Sequence, residues 1–251
     1  MKKRAPAVVV IRLFGVAAVL VIAMVGCSSG AEDEPSSTAP AATQSEAEAG
    51  LTYIALGDSW PEGAHCDPAC STFPELHAEA IEEMTGEPIE FMNLSGQAQP
   101  FFDTPGGGGS AGLLEALKTD DAFREEVAAG DIIVISTGPN DGGEIFDAIM
   151  DGTCGGKDDT ACVSELNRRW HRDFHGILQE IQDLRAGKPT TIRLVNAANA
   201  FTDPSFSAAT ARGFEAYFEA LTEAMCDNAE DYGVVCVDVR PVLNGPESSS
   251  R

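Results

Sequence analysis

Five short apolar runs, Thr52–Leu56, Ile89–Leu94, Ile132–Ser136, Thr191–Asn196 and Val234–Val239, alternate along the chain with longer segments of helical period. Short strands separated by helices pair in parallel, because each crossover helix carries the chain back to the starting end of the sheet. Thr72-Phe73-Pro74-Glu75 has the spacing of a capping box with an early proline, and Leu76, Ala80 and Met84 continue behind it. Val163, Leu166, Trp170, Phe174, Ile177, Ile181 and Leu184 step by three or four and predict the longest helix. Phe214, Phe218, Leu221 and Met225 predict another before the last strand. Right-handed crossovers place these helices on both faces, so the expectation is an α/β fold, a three-layer α/β/α sandwich around a five-stranded parallel sheet. Its functional loops gather at the carboxyl ends of the strands.

Three turns fall at such ends. Gly57-Asp58-Ser59 follows the first run, where a strand-to-helix turn exposes a serine Oγ for attack on an ester carbonyl. Taken alone it is also a plain polar turn with Asp58 as helix N-cap. Asn93-Leu94-Ser95-Gly96 and Gly138-Pro139-Asn140-Asp141 follow the second and third runs. A glycine amide reaches a substrate oxygen unobstructed, and an asparagine NH₂ donates without adding charge. Gly96 and Asn140 therefore suit an oxyanion hole beside the Ser59 N–H. Gly106-Gly107-Gly108-Gly109-Ser110 lacks the Lys-Ser/Thr ending of a phosphate loop and reads as a flexible connection before a helix at Ala111–Ala116.

The first 26 residues read as a lipoprotein signal peptide: Lys2-Lys3-Arg4, then an apolar stretch to Val25 whose only charge is Arg12, then Gly26-Cys27. An uncleaved membrane anchor is the rival, and Met24 is atypical three residues before a lipidated cysteine. The small boundary residues and the polar tract beyond favour cleavage before Cys27 and its acylation. Residues 27–50 are rich in Ser, Thr, Ala, Pro and Glu and read as a disordered tether. Residues 51–251, about 200, suit one domain with one core.

Charge and cysteine usage fit an exported protein. The chain has 16 basic and 40 acidic residues, and four of the basic ones precede Cys27. Such a surface repels nucleic acid and anionic headgroups, so no nucleic-acid partner is expected and a membrane contact only through Cys27. The expected partner, an ester-bearing small molecule, lipid or envelope glycan, follows instead from the chemistry of the Ser59 turn, and a monomer is the expected state. Six cysteines remain beyond Cys27. They allow 15 pairings, and their grouping suggests Cys66–Cys70, Cys154–Cys162 and Cys226–Cys236. A zinc site is disfavoured, because Cys66-x-x-x-Cys70 lacks a second close pair. No metal or organic cofactor is expected.

The three motifs in this order resemble the SGNH/GDSL hydrolase superfamily of esterases, lipases and carbohydrate deacetylases. The resemblance spans Leu51 to about Gly245. It implies a flavodoxin-like fold, Ser59 as nucleophile and one oxyanion donor, and Gly96 and Asn140 as the other donors. The stretch Gly57-Asp58-Ser59-Trp60-Pro61-Glu62-Gly63 also looks like exported bacterial members.

The superfamily's last block, an Asp-x-x-His supplying the general base, does not follow the final strand. Asp238 has no histidine three residues on, and the chain runs to Arg251 with no histidine beyond His175. A chain interrupted in this loop is the expectation, with part of one sheet face left uncovered; a substitute histidine and a non-enzymatic domain are the other readings. His65 lies near the nucleophile turn, and His77 lies on the first long helix, at its surface. His171 and His175 have metal-ligand spacing, yet Arg172 stands where a zinc protease has glutamate, so they read as solvent-flanking. Phe101 and Phe102 either line an acyl pocket or anchor the glycine loop. The leading expectation is a membrane-tethered extracytoplasmic hydrolase of carboxylic esters acting through an acyl-enzyme at Ser59. The alternative is a catalytically silent lipoprotein binding acylated or acetylated envelope glycans in the same cleft.

Overall fold

The computed structural model describes residues 50–63, 70–96, 108–156 and 160–245. The strands are β1 (Leu51–Gly57), β2 (Ile89–Asn93), β3 (Ile132–Ser136), β4 (Thr191–Val195) and β5 (Val235–Val237). All pair in parallel, in the order β2-β1-β3-β4-β5. This is the flavodoxin-like doubly wound order, which reverses at β1 and opens a crevice between the carboxyl ends of β1 and β3. The expected α/β class and five-stranded sheet are both present. Central β3 is buried along its whole length, as its uninterrupted Ile-Ile-Val-Ile run requires, whereas edge strand β2 is mostly half-buried.

Eight helices accompany the strands among the described residues: α1 (Ser59–Glu62), α2 (Phe73–Thr85), α3 (Gly109–Thr119), α4 (Asp121–Ala129), α5 (Gly143–Met150), α6 (Ala161–Leu184), α7 (Ala208–Asp231) and α8 (Arg240–Leu243). The capping box forms as expected: the Thr72 Oγ1 accepts the Glu75 N–H at 3.4 Å, and the Thr72 N–H donates to Glu75 Oε2 at 2.6 Å. The periodic stripes of α6 and α7 are buried, including Trp170, Phe174, Ile177, Phe214, Leu221 and Met225. They form one large core with α3, α4 and α5 against the face of Ile54, Leu56, Ile133, Ile135, Ile192 and Leu194. The opposite face, with Tyr53, Ala55, Ile132 and Val134, packs against α2.

That second cover is incomplete. Val235 and Val237 on β5 remain 47% and 38% exposed among the described residues. Two helices lay hidden in sequence. α4 is short and strongly charged, with Phe123 and Val127 its buried apolar anchors. α5 occupies a stretch for which no helix was expected. Gly109 and Ser110, read as flexible connection, instead form the first turn of α3 and are buried.

Two expected disulfides are present: Cys154–Cys162 links the end of α5 to α6, and Cys226–Cys236 links α7 to β5. Cys70 is disulfide-bonded to a partner outside the described residues. Cys27, His65, Cys66, Phe101 and Phe102, with residues 1–49, also lie outside them.

Candidate active site

β1 ends on Gly57 with φ +148°, where a Cβ would overlap the carbonyl oxygen of Ser136 on β3. Only glycine lets the two strand ends approach this closely. The next amide, Asp58 N–H, donates to the same Ser136 oxygen at 3.3 Å, and the chain then turns into α1 with Ser59 as its first residue. Gly63 closes that single turn by donating to the carbonyls of Ser59 and Trp60 at 3.1 and 3.2 Å. Ser59 is half-buried.

Asp58 caps α1 through a long 3.5 Å bond from the Trp60 N–H and is only 4% exposed. Burial pushes its pKa up to about 7, with the charge of Asp141 adding to the rise and the amides of Trp60 and Gly138 opposing it. Its Oδ2 is buried with no hydrogen-bond partner among the described residues.

The β2 turn reaches the same place. Asn93, to which sequence reasoning gave no role, donates from Nδ2 to the Pro61 carbonyl at 2.9 Å and accepts the Ser95 N–H at 3.0 Å. Gly96 has φ +74°, and its N–H donates to the Gly57 carbonyl at 3.0 Å. The Glu62 carboxyl group lies where a Gly96 Cβ would stand. Gly96 is thus brought to the Ser59 turn with its amide engaged by the Gly57 carbonyl.

The β3 turn forms a 3-10 helix over Pro139–Gly142. Asn140 is exposed, while its neighbours are gripped from the core. Tyr217 Oη donates to the Pro139 carbonyl at 2.9 Å, and Arg169 Nη2 to the Asp141 carbonyl at 2.7 Å. Asp141 Oδ2 accepts from Trp170 Nε1 and Ser110 Oγ, both at 2.7 Å, and from the Ser110 N–H at 3.2 Å. Burial nevertheless holds the Asp141 carboxyl above the usual carboxylate range. Neither partner has a site role legible in sequence: Ser110 reads as flexible connection and Trp170 as a core position of its helix.

A cleft of about 440 Å³ opens on Ser59, with Trp60, Phe73, Val195, Val239 and Leu243 among its walls. The chain beyond β5 therefore borders the cleft. It is fixed there by Asn196, which donates from Nδ2 to Asp238 Oδ1 at 2.7 Å and accepts the Val239 N–H at 2.8 Å. Asn244 pairs with the backbone of Asn199 at 2.7 and 2.8 Å. Asp238, at the end of the strand, accepts from Asn196 Nδ2 and the Arg240 N–H.

None of the three described histidines lines the cleft. His77 is exposed on α2, with Nδ1 2.9 Å from Tyr53 Oη. His175 meets Tyr232 Oη at 3.1 Å, and the carbonyl of His171 accepts from Asn228. Among the described residues no cluster of three His, Cys, Asp or Glu has the arrangement of a metal site.

No protein-family model matches the chain, and no curated protein matches it significantly. Solved structures do. A lipase from a goat rumen metagenome superposes with TM-score 0.58 at 20% identity, over 78% of this chain and 84% of that one. An extracellular lipase from Streptomyces rimosus gives TM-score 0.51 at 18% identity, over 78% and 82%. A phospholipase A1 from Streptomyces albidoflavus gives 0.51 at 14%, over 78% and 83%. The chain has the three-layer fold of these enzymes, which is the fold that the SGNH/GDSL resemblance implies.

Proposed function

We propose that this chain is a membrane-tethered, extracytoplasmic serine hydrolase of carboxylic esters. The observation that carries the reading is the half-buried Ser59 hydroxyl on a strand-to-helix turn at the β1/β3 switch point, bordering a largely apolar cleft and next to the turn that bears the exposed Asn140. In this reading Ser59 Oγ attacks the ester carbonyl as its proton passes to a base. The oxygen that gains negative charge accepts from Asn140 Nδ2, the Ser59 N–H and, once its bond to Gly57 is exchanged, the Gly96 N–H. Collapse expels the alcohol, and water then releases the acid from the acyl-serine. The base is none of His77, His171 and His175 as they are placed. Cys27 is the proposed lipid attachment point, with the signal peptide removed before it.

The test is hydrolysis of a p-nitrophenyl ester series by the purified chain and by Ser59→Ala. Turnover that Ser59→Ala abolishes supports the reading. The placement of the three histidines favours a second one, a silent domain that binds acylated envelope glycans in the same cleft. Saturable binding of such a glycan without turnover selects it. Incorporation of radiolabelled palmitate that Cys27→Ala abolishes tests the anchor separately.

A further inference from the structure

We infer that Asp141 is a positioning residue for Asn140, its carboxylate tied to the side chains of Ser110 and Trp170 while Tyr217 and Arg169 hold the carbonyls of Pro139 and Asp141. The inference rests on the ester-hydrolase reading and names how its oxyanion donor is held.

Asn140 is exposed on a turn of four residues, and a short exposed turn by itself leaves an amide side chain free to swing. Here the residues on either side are fixed. The carbonyl before Asn140 is held by α7 through Tyr217, and the carbonyl after it by α6 through Arg169. The next side chain, Asp141, takes three hydrogen bonds on one oxygen, from α3 and α6. Gly109 permits the approach of α3, since a Cβ there would overlap the Asp141 carboxyl group. Three helices thus close on one turn and leave its middle side chain facing outward.

The proton count adds a pH dependence. Ser110 Oγ carries a single hydrogen yet lies 2.7 Å from Asp141 Oδ2 and 3.2 Å from Asp173 Oδ2. Both contacts are hydrogen bonds together when one of the two carboxyls holds a proton; with that proton on Asp173, Asp173 donates to Ser110, which donates onward to Asp141. Burial favours that protonated form of Asp173, while Arg169 and Arg172 of its own helix and Lys118 of α3 oppose it. Ionised Asp173 competes for the Ser110 hydrogen, and Asp141 then keeps two donors instead of three.

The experiment is a double-mutant cycle. Trp170→Phe keeps the buried ring and removes one donor to Asp141; Ser110→Ala removes another. Each is expected to lower kcat for a p-nitrophenyl ester by about 10- to 100-fold with KM unchanged. In an Asn140→Ala background, each is expected to change kcat less than about twofold, because the group it positions is gone. Equal losses with and without Asn140 overturn the proposal and leave a purely structural role. Raising pH is expected to slow the native chain but not Ser110→Ala. If the native chain turns over no ester, the function reading fails by itself, and the coupling is read from the Asn140 side-chain NH₂ resonances. Trp170→Phe and Ser110→Ala are expected to shift or broaden them, and unchanged resonances in both variants overturn the proposal.

Discussion

The Gly96 amide donates to the Gly57 carbonyl at 3.0 Å, so the turn after β2 and the turn before Ser59 are joined by one hydrogen bond at two left-handed glycines. On its other side Gly57 meets the Ser136 carbonyl so closely that no Cβ fits. The Ser59 turn is therefore wedged between the ends of β2 and β3, and its serine is placed by backbone contact.

Gly57→Ala is expected to cost at least about 3 kcal/mol, since it adds both a disfavoured φ and an overlap with backbone that cannot move aside. Gly96→Ala is expected to cost about 1–2 kcal/mol, because the obstructing atoms belong to the end of the Glu62 side chain. Urea denaturation of both variants measures the order. A Gly57→Ala protein as stable as the native chain would remove the wedge from the account.

Asp58 predicts a pH dependence of stability. Its carboxyl rises from 3.8 to about 7 in the folded chain, chiefly by burial and further by the charge of Asp141. The folded state thus holds a proton that the unfolded chain has already released. This contribution is fully present below pH 3.8 and is lost as pH rises through about 7. A shift of that size is worth up to about 4 kcal/mol. Asp58→Asn, neutral at every pH, is expected to flatten the fall in urea midpoint between pH 4 and 8; an unchanged slope contradicts the assignment.

Cys226–Cys236 joins the buried helix α7 to the exposed edge strand β5, whose far face α2 does not cover. Replacing both cysteines by serine is expected to lower stability by about 3 kcal/mol. Hydrogen exchange is expected to speed up most at residues 235–237. Equal protection there before and after replacement would show that packing alone holds the strand.

The strands and the three turns were legible because their signals are local. Ile132–Ser136 is a continuous apolar run, and the expected boundaries hold to within a residue or two at β1 to β4. The grip on the Asn140 turn was not legible. Asp141 meets Ser110 31 residues away in sequence and Trp170 29 away, and no local pattern reports such a pairing. α4 was missed for a related reason: it buries only two residues, too few to raise a periodic stripe above its charges.

The central claim is that Ser59 is a reactive hydroxyl sharing one site with Asn140, and covalent labelling tests it most directly. The purified chain is treated with an alkyl fluorophosphonate and its mass and peptides are measured. The account predicts a single adduct on the peptide containing Ser59, none in Ser59→Ala, and labelling slowed by about 10²–10³-fold in Asn140→Ala. An adduct that survives Ser59→Ala, or no adduct on a folded chain, contradicts it.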